Sequence, residues 1–139
     1  MLSGVTGQHP PPQAVFVDNG SDLRKFFNVT LLTPRGEHAI QVAEDEHIWD
    51  AASRLGVRLP ALCHQGWCLT CAGRLEEPGE VDQTDSISFF PQDRQAGFAL
   101  LCTGKPCSAL RIRTDQAVEM RKHRLRNGLP SPYSQGMEP

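Results

Sequence analysis

The chain has 139 residues, of which 39% are hydrophobic and 22% are charged, and its formal charge at pH 7 is −2. This length and composition suit one globular domain with tails better than two domains or a disordered chain. Acidic residues outnumber basic ones between residues 22 and 120, whereas residues 121–139 have a basic excess, so a nucleic-acid-binding module is not expected.

Residues 1–24 are predicted to form an extended or flexible N-terminal arm, because prolines and an Asn-Gly-Ser-Asp segment interrupt them without a periodic apolar pattern. The first 22 residues contain no Lys or Arg and lead into no apolar run, unlike an export signal. A transit peptide would be rich in Arg and Ser, and no run of about 18 apolar residues is present to enter a membrane. We therefore expect a cytoplasmic protein with no membrane insertion.

The first predicted elements are a hairpin and a helix. Residues 26–33 form a β-rich run that stops at a Pro-Arg-Gly turn, and residues 38–42 follow as a second strand. Glu44-Asp45-Glu46 supplies carboxylates to the first turn of a helix that ends at Gly56. Residues 59–71 show no sustained period, and a loop of this length inside a domain is usually functional.

The second half of the chain predicts shorter elements. A strand is expected at residues 73–76, a brief helix within residues 92–100 and a half-buried strand at residues 109–113. Thr114-Asp115 can cap a last helix that runs to about residue 128. The chain beyond that helix contains three prolines and is predicted to be unstructured.

Four of the five cysteines follow one iron–sulfur spacing. Cys63-x4-Cys68-x2-Cys71, followed by the distant Cys102, is the plant-type [2Fe-2S] pattern. A loop that brings three thiolates together must curl with its backbone N–H groups facing the sulfurs, and Gly66 permits a positive φ at that point. The sequence therefore predicts one [2Fe-2S] cluster, with these four cysteines as the cofactor-binding and metal-ligating residues.

Other uses of the cysteines stay open at this point. A four-cysteine zinc site would use the same thiolates, although such sites favour two short cysteine pairs. Two disulfides are not expected in a cytoplasmic protein. Cys107 is left over, either as a small, partly buried thiol or as the fourth ligand in place of Cys102.

A family resemblance joins these features. The segment from Leu59 to Gly73, Leu-Pro-Ala-Leu-Cys-His-Gln-Gly-Trp-Cys-Leu-Thr-Cys-Ala-Gly, resembles the cluster loop of plant and cyanobacterial ferredoxins. The resemblance extends to Asp50-Ala51-Ala52, to residues 81–85 and to residues 96–102, and it covers about residues 26–120. It implies an α+β protein with the β-grasp (ubiquitin-like) ferredoxin fold, a mixed sheet and a long cluster-binding loop.

The same resemblance implies a function and a domain arrangement. A ferredoxin domain would occupy residues 25–120, followed by a basic C-terminal extension over residues 121–139. The protein would be a monomeric one-electron carrier and not an enzyme. It would move electrons from photosystem I or a ferredoxin–NADP reductase-like enzyme to ferredoxin-dependent enzymes. The alternative is a dedicated iron–sulfur component of an oxygenase or hydroxylase system.

The loop departs from the family around the first two cysteines. Ala61-Leu62 and His64-Gln65-Gly66-Trp67 stand where the family usually has Tyr-Ser and Arg-Ala-Gly-Ser. Two hydroxyl donors are lost, and Leu62 and Trp67 are expected to cover the site. Because reduction adds negative charge to an anionic centre, we expect a potential below the family value of about −400 mV.

The charge pattern also departs from the family, whose partners dock through acidic patches. Those places hold Ser53-Arg54, Phe90-Pro91-Gln92 and Met120-Arg121-Lys122, so we expect an altered partner preference. Phe89 and Phe90 could give a more apolar contact or could pack in the core. The basic segment 121–126 could dock an acidic partner, shield part of the domain or be a solvated face.

Overall fold

The computed structural model describes residues 15–19 and 22–134, which form eight strands and three helices. The strands are β1 (Val15–Asn19), β2 (Asp22–Thr33), β3 (Gly36–Ala43), β4 (Ala72–Leu75), β5 (Val81–Asp82), β6 (Phe98–Leu100), β7 (Lys105–Pro106) and β8 (Leu110–Arg113). The helices are α1 (Ile48–Arg54), α2 (Pro91–Gln95) and α3 (Ala117–Arg126). The long segment between α1 and β4 carries three of the cysteines.

The main sheet is organised around β2. Phe26 of β2 pairs with both β1 and β3, and Val29 pairs with both β3 and β8, so β1 and β8 share one edge of β2 and β3 takes the other. The β2–β8 pairing is parallel, whereas β8–β4 and β4–β6 are antiparallel. This mixed sheet, against which α1 packs through β3, confirms the predicted α+β β-grasp fold.

Two clusters of buried apolar side chains support the sheet. The larger cluster joins β2, β3, β8 and α1, and its Leu31 and Ile112 have no exposed surface. The smaller cluster includes Cys71 and Cys102, and Trp49 of α1 packs against both clusters. Burial of a Leu or Ile side chain contributes about 1.5–3 kcal/mol. The cysteines are therefore set in a close-packed part of the molecule.

Most predicted elements are confirmed. β2 and β3 form the predicted hairpin, and α1 is followed by Gly56 at a φ of 84°. The strands predicted at residues 73–76 and 109–113 are β4, which begins and ends one residue earlier, and β8, which begins one residue later. The helix predicted within residues 92–100 is shorter than expected, because its second half is strand β6.

The N-terminal arm differs from expectation where the structure describes it. Residues 15–19 pair antiparallel with the start of β2 and form β1, while residues 1–14 lie outside the described residues. Val-Phe-Val before Asn-Gly is a hairpin signal that the preceding prolines obscured. The predicted boundary between arm and domain, after residue 24, falls within β2.

The C-terminal part also differs from expectation. Helix α3 crosses the predicted domain boundary at residue 120 and buries Met120, His123 and Arg124. Residues 129–134, predicted to be unstructured, are bonded to this helix, since Ser131 Oγ donates to the carbonyl of Arg121 at 3.0 Å. Across residues 15–19 and 22–134, no helix has both the length and the apolar character needed to cross a bilayer.

Candidate metal centre

The loop between α1 and β4 is held in a curl by the segment that precedes α2. The N–H of Ile87 donates to the carbonyl of Gln65 at 2.9 Å, and the N–H of Ser88 donates to the carbonyl of Gly66 at 2.9 Å. Gly66 has a φ of 76°, and a Cβ there would approach Thr103 Oγ1 to 2.7 Å. Position 66 therefore needs glycine both for its backbone conformation, as predicted, and for space.

The four predicted ligands form two pairs of neighbouring thiols. The Sγ atoms of Cys71 and Cys102 lie 3.0 Å apart, and the N–H of Cys102 donates to Cys71 Sγ at 3.3 Å. Cys63 and Cys68 are the other two, and Cys68 contributes to lowering the pKa of Cys63. The hydrogen bond from Cys71 and, to a smaller extent, the N–H of Gly66 lower the pKa of Cys102. Cys68, Cys71 and Cys102 are buried, whereas Cys63 is partly exposed.

Cys107 lies outside these two pairs. Its side chain is exposed, directly after β7, and its N–H donates to the carbonyl of Glu80 at 3.0 Å. Burial of its sulfur and the carboxylates of Asp82 and Glu80 raise the pKa of the Cys107 thiol. Because a metal ligand must be a thiolate, this environment suits Cys107 less well as a ligand than the environment of Cys102.

Backbone amides favour the thiolate form in the loop. Burial raises the pKa of Cys63, but the N–H groups of Trp67, Gln65 and Cys68 outweigh it and hold that pKa below its ordinary value. The Gln65 N–H lies 3.3 Å from Cys63 Sγ. Such amides compensate negative charge on sulfur, which is the role that the sequence predicted for the curled loop.

The second pair shares a proton. The hydrogen bond from Cys71 lowers the pKa of Cys102 to about 7, and the same bond together with burial raises the pKa of Cys71. Two thiols at this separation titrate as a unit, because the first thiolate disfavours the second. A cation between the sulfurs would remove that penalty, so metal binding favours the loss of both protons from this pair.

A network of buried polar side chains connects the segments next to the curled loop. The sequence did not predict this role. Gln83 is only 6% exposed; its Oε1 accepts from the N–H of Leu100 at 2.8 Å, and its Nε2 donates to Ser86 Oγ at 2.9 Å. Ser86 Oγ in turn lies 2.6 Å from Thr103 Oγ1. These bonds join the segment beside the curled loop to the residue that follows Cys102. The sequence signal that could have indicated this network is the Val-Asp-Gln-Thr-Asp motif at residues 81–85. Unlike the cysteine spacing, that motif does not by itself predict which groups its side chains contact.

The arrangement of donors discriminates between metal types. Within the described ranges, no three His, Cys, Asp or Glu side chains surround one point as a mononuclear site requires. The close pair of Cys71 and Cys102, together with Cys63 and Cys68 on the curled loop, instead matches a centre that distributes four thiolates over two irons. The donor set and the glycine-dependent curl therefore fit a [2Fe-2S] cluster better than zinc.

The C-terminal part of the chain contacts the curled loop directly. Arg121 Nη2 donates to the carbonyl of Cys68 at 2.9 Å and to Thr70 Oγ1 at 3.1 Å. The ring of Tyr133 lies against that of Trp67, with centroids 5.8 Å apart. Arg121 is thus engaged within the molecule, which supports the shielding interpretation for this residue, whereas Lys122 and Arg126 of the same segment are exposed.

The two phenylalanines before α2 pack with arginines. Arg124 lies over the ring of Phe90 at 4.8 Å, and Arg94 lies over the ring of Phe89 at 5.4 Å. Both rings are only partly exposed. Of the two interpretations left open for them, the structure supports packing within the domain.

Comparison with known proteins agrees with this geometry. Residues 32–107 match the family described as 2Fe-2S iron-sulfur cluster binding domain. The heterocyst ferredoxin of Microchaete diplosiphon is 41% identical over 80 residues, which cover 58% of this chain and 80% of that protein. The crystal structure of pectocin M2 aligns with a TM-score of 0.59 at 29% identity, covering 70% of this chain but 39% of that one. The ferredoxin reductase in carbazole 1,9a-dioxygenase aligns with a TM-score of 0.51 at 26% identity, covering 64% and 28% of the two chains.

Proposed function

Since the chain belongs to the family of 2Fe-2S iron-sulfur cluster binding domains and is a plant-type ferredoxin with one [2Fe-2S] cluster, we propose that Cys63, Cys68, Cys71 and Cys102 hold that cluster. The chain is an electron carrier and not an enzyme. The observation that supports the ligand set is the close approach of Cys71 and Cys102, whose Sγ atoms lie 3.0 Å apart although 31 positions separate the two residues in the chain.

The bound cluster supplies reversible one-electron transfer. The chain contributes the thiolates, the amide donors around Cys63 and the packing that excludes water from Cys68, Cys71 and Cys102. Cys63 is the member of the set that is partly exposed. Electrons therefore enter and leave on the Cys63 side of the domain.

The electron donors and acceptors form the second part of the proposal. A reductase or photosystem I would reduce the protein, and ferredoxin-dependent enzymes would oxidise it, with an altered partner preference because the acidic docking patches of the family are replaced. The alternative, an iron–sulfur component of an oxygenase system, is favoured by the fold shared with the ferredoxin reductase in carbazole 1,9a-dioxygenase. All five cysteines are free thiols, which suits the cytoplasm as the compartment.

The ligand set is tested by reconstituting the wild-type protein and five Cys→Ser variants with iron and sulfide. We expect two irons and two sulfides per wild-type chain, with the visible bands and EPR signal of a [2Fe-2S] centre, and loss of both in C63S, C68S, C71S and C102S. C107S is the matched control and should keep them. A colourless wild-type protein, bound zinc, or loss of the bands in C107S with retention in C102S would overturn the assignment.

The partner question needs a separate assay. Reduced nicotinamide cofactor, a reductase and cytochrome c as final acceptor measure electron flow through the holoprotein. Comparing a photosynthetic-type ferredoxin reductase with an oxygenase reductase distinguishes the two candidates. A rate that is at least tenfold higher with the oxygenase reductase would favour the alternative over the general carrier.

A further inference from the structure

Large apolar side chains are exposed around the curled loop. In the described part of the chain, the exposed large hydrophobic residues are Leu55, Leu62, Ile87, Val118 and Tyr133. Three of them meet one short stretch, residues 62–67. Leu62 belongs to this stretch, Ile87 is bonded to Gln65 through its N–H, and Tyr133 lies against Trp67. Isolated exposed apolar residues are ordinary, but a group of them at one place marks a contact surface.

The segments that carry these residues contain no formally charged side chain. Residues 59–71, 86–92 and 127–134 include no Asp, Glu, Lys or Arg. We call these three segments, with Leu62 and Ile87 exposed by 59% and 66% and Tyr133 by 59%, the uncharged rim. Such a surface has no means of steering a charged partner and can gain contact free energy only from burial and neutral hydrogen bonds.

Two charged residues that adjoin the rim are paired inside the molecule. Asp85 accepts from His47 Nε2 at 2.8 Å and from Lys105 Nζ at 3.0 Å. Arg121 is bonded to the carbonyl of Cys68 and, through Nε at 3.0 Å, to the carbonyl of Pro132. A charged group of a partner placed against these two residues would lose its hydration without gaining a new ion pair.

The C-terminal segment of the rim is fixed to the rest of the domain. Arg124 donates to the carbonyl of Pro130 at 2.7 Å and to the carbonyl of Ser88 at 2.8 Å, so it ties two of the three segments together. Its own side chain has no exposed surface. A surface held in this way loses little conformational entropy when a partner binds.

We propose that the uncharged rim is the docking surface for an electron-transfer partner whose contact face is itself uncharged and largely apolar. This rests on the proposed function, since the rim borders Cys63, the partly exposed member of the ligand set. An apolar face would bury Leu62, Ile87 and Tyr133 and bring its redox centre close to that side of the loop. The C-terminal segment 127–134 then contributes contact surface, through Tyr133, as well as packing.

The probe for this surface is a second copy of the protein, because its own rim is an uncharged apolar face. Electron self-exchange between oxidised and reduced holoprotein, measured by NMR exchange broadening, reports productive contact without an identified partner. The rim variants are Ile87→Ser and Tyr133→Ala. The matched controls are Leu55→Ser and Val118→Ala, which change residues that are 49% and 46% exposed at sites outside the rim. All four substitutions leave the net charge unchanged.

We expect the self-exchange rate constant to fall at least fivefold in each rim variant and to stay within twofold of wild type in each control. The iron content and visible spectrum of every variant should match wild type. Wild-type rates in both rim variants, or an equal fall in the controls, would overturn the docking surface. A wild-type holoprotein that cannot be reduced reversibly would instead contradict the proposed function, so the two failures are distinguishable.

Discussion

Arg124 and Asp93 form an ion pair with no solvent exposure, in which Arg124 Nε donates to both carboxylate oxygens at 2.9 and 3.0 Å. Asp93 Oδ2 also accepts from the N–H of Phe90 at 2.8 Å, which caps α2. The remaining Arg124 donors go to Ser88 and Pro130. One guanidinium thus connects α2, α3 and the segment beside the curled loop, and it has enough partners to offset the cost of burying its charge.

Replacing Arg124 with Ala should destabilise the protein by about 3–5 kcal/mol, because it leaves the Asp93 carboxylate buried without its cation. Chemical denaturation of the reconstituted protein measures this change. Arg126 on the same helix is exposed, and R126A should change the stability by less than about 0.5 kcal/mol. Equal effects of the two substitutions would show that the buried pair contributes nothing specific.

A second prediction concerns the curl of the loop. Gly66→Ala places a Cβ within 2.7 Å of Thr103 Oγ1 and 2.8 Å of the Ser86 Cα, at a φ of 76°. Gly128 has a similar φ of 67° but nothing within 4 Å of the added Cβ. G128A should therefore cost only the conformational strain of about 1–2 kcal/mol, whereas G66A should also open the loop and release the cluster. The decay of visible absorbance in the presence of an iron chelator compares them, and similar decay rates would contradict the steric argument.

The sequence predicted those features that are carried by short-range patterns. The hairpin of β2 and β3, the helix before Gly56 and the cysteine spacing all follow from periods or separations within a few residues. Arg124 could not be found in this way, since a charged residue in a basic segment is normally exposed. Its burial depends on Asp93 and Ser88, which are distant in sequence. The contact of Tyr133 with Trp67 depends on the same long-range folding of the C-terminal part.

Arg121 should tune the reduction potential. Its guanidinium bonds to the carbonyl of Cys68 at 2.9 Å, so a positive charge lies beside the proposed ligand set and stabilises the more negative, reduced state. R121Q should remove roughly 1 kcal/mol of electrostatic stabilisation from the reduced state. For one electron this energy lowers the midpoint potential by about 40 mV. K122Q removes the same charge from an exposed neighbour and should shift the potential much less, because solvent screens it. Protein-film voltammetry measures the midpoint potentials of both variants. Equal shifts in R121Q and K122Q would show a general effect of net charge and contradict a specific role for Arg121.

Trp67 offers a test of the expected low potential. Its ring is partly exposed and covered on one side by Tyr133, and it occupies a position where the family usually has a hydroxyl group. Trp67→Ser removes apolar cover and adds a donor near Cys63 and Cys68, and both changes favour the reduced state. We therefore expect an upward shift of the midpoint potential.

Tyr133→Ala is the control for this prediction, because it removes the apolar cover without adding a hydrogen-bond donor. A shift in W67S that Y133A does not share would assign the effect to the hydroxyl group. Equal shifts in both variants would assign it to solvent access, and no shift in either would contradict the expectation that Trp67 lowers the potential.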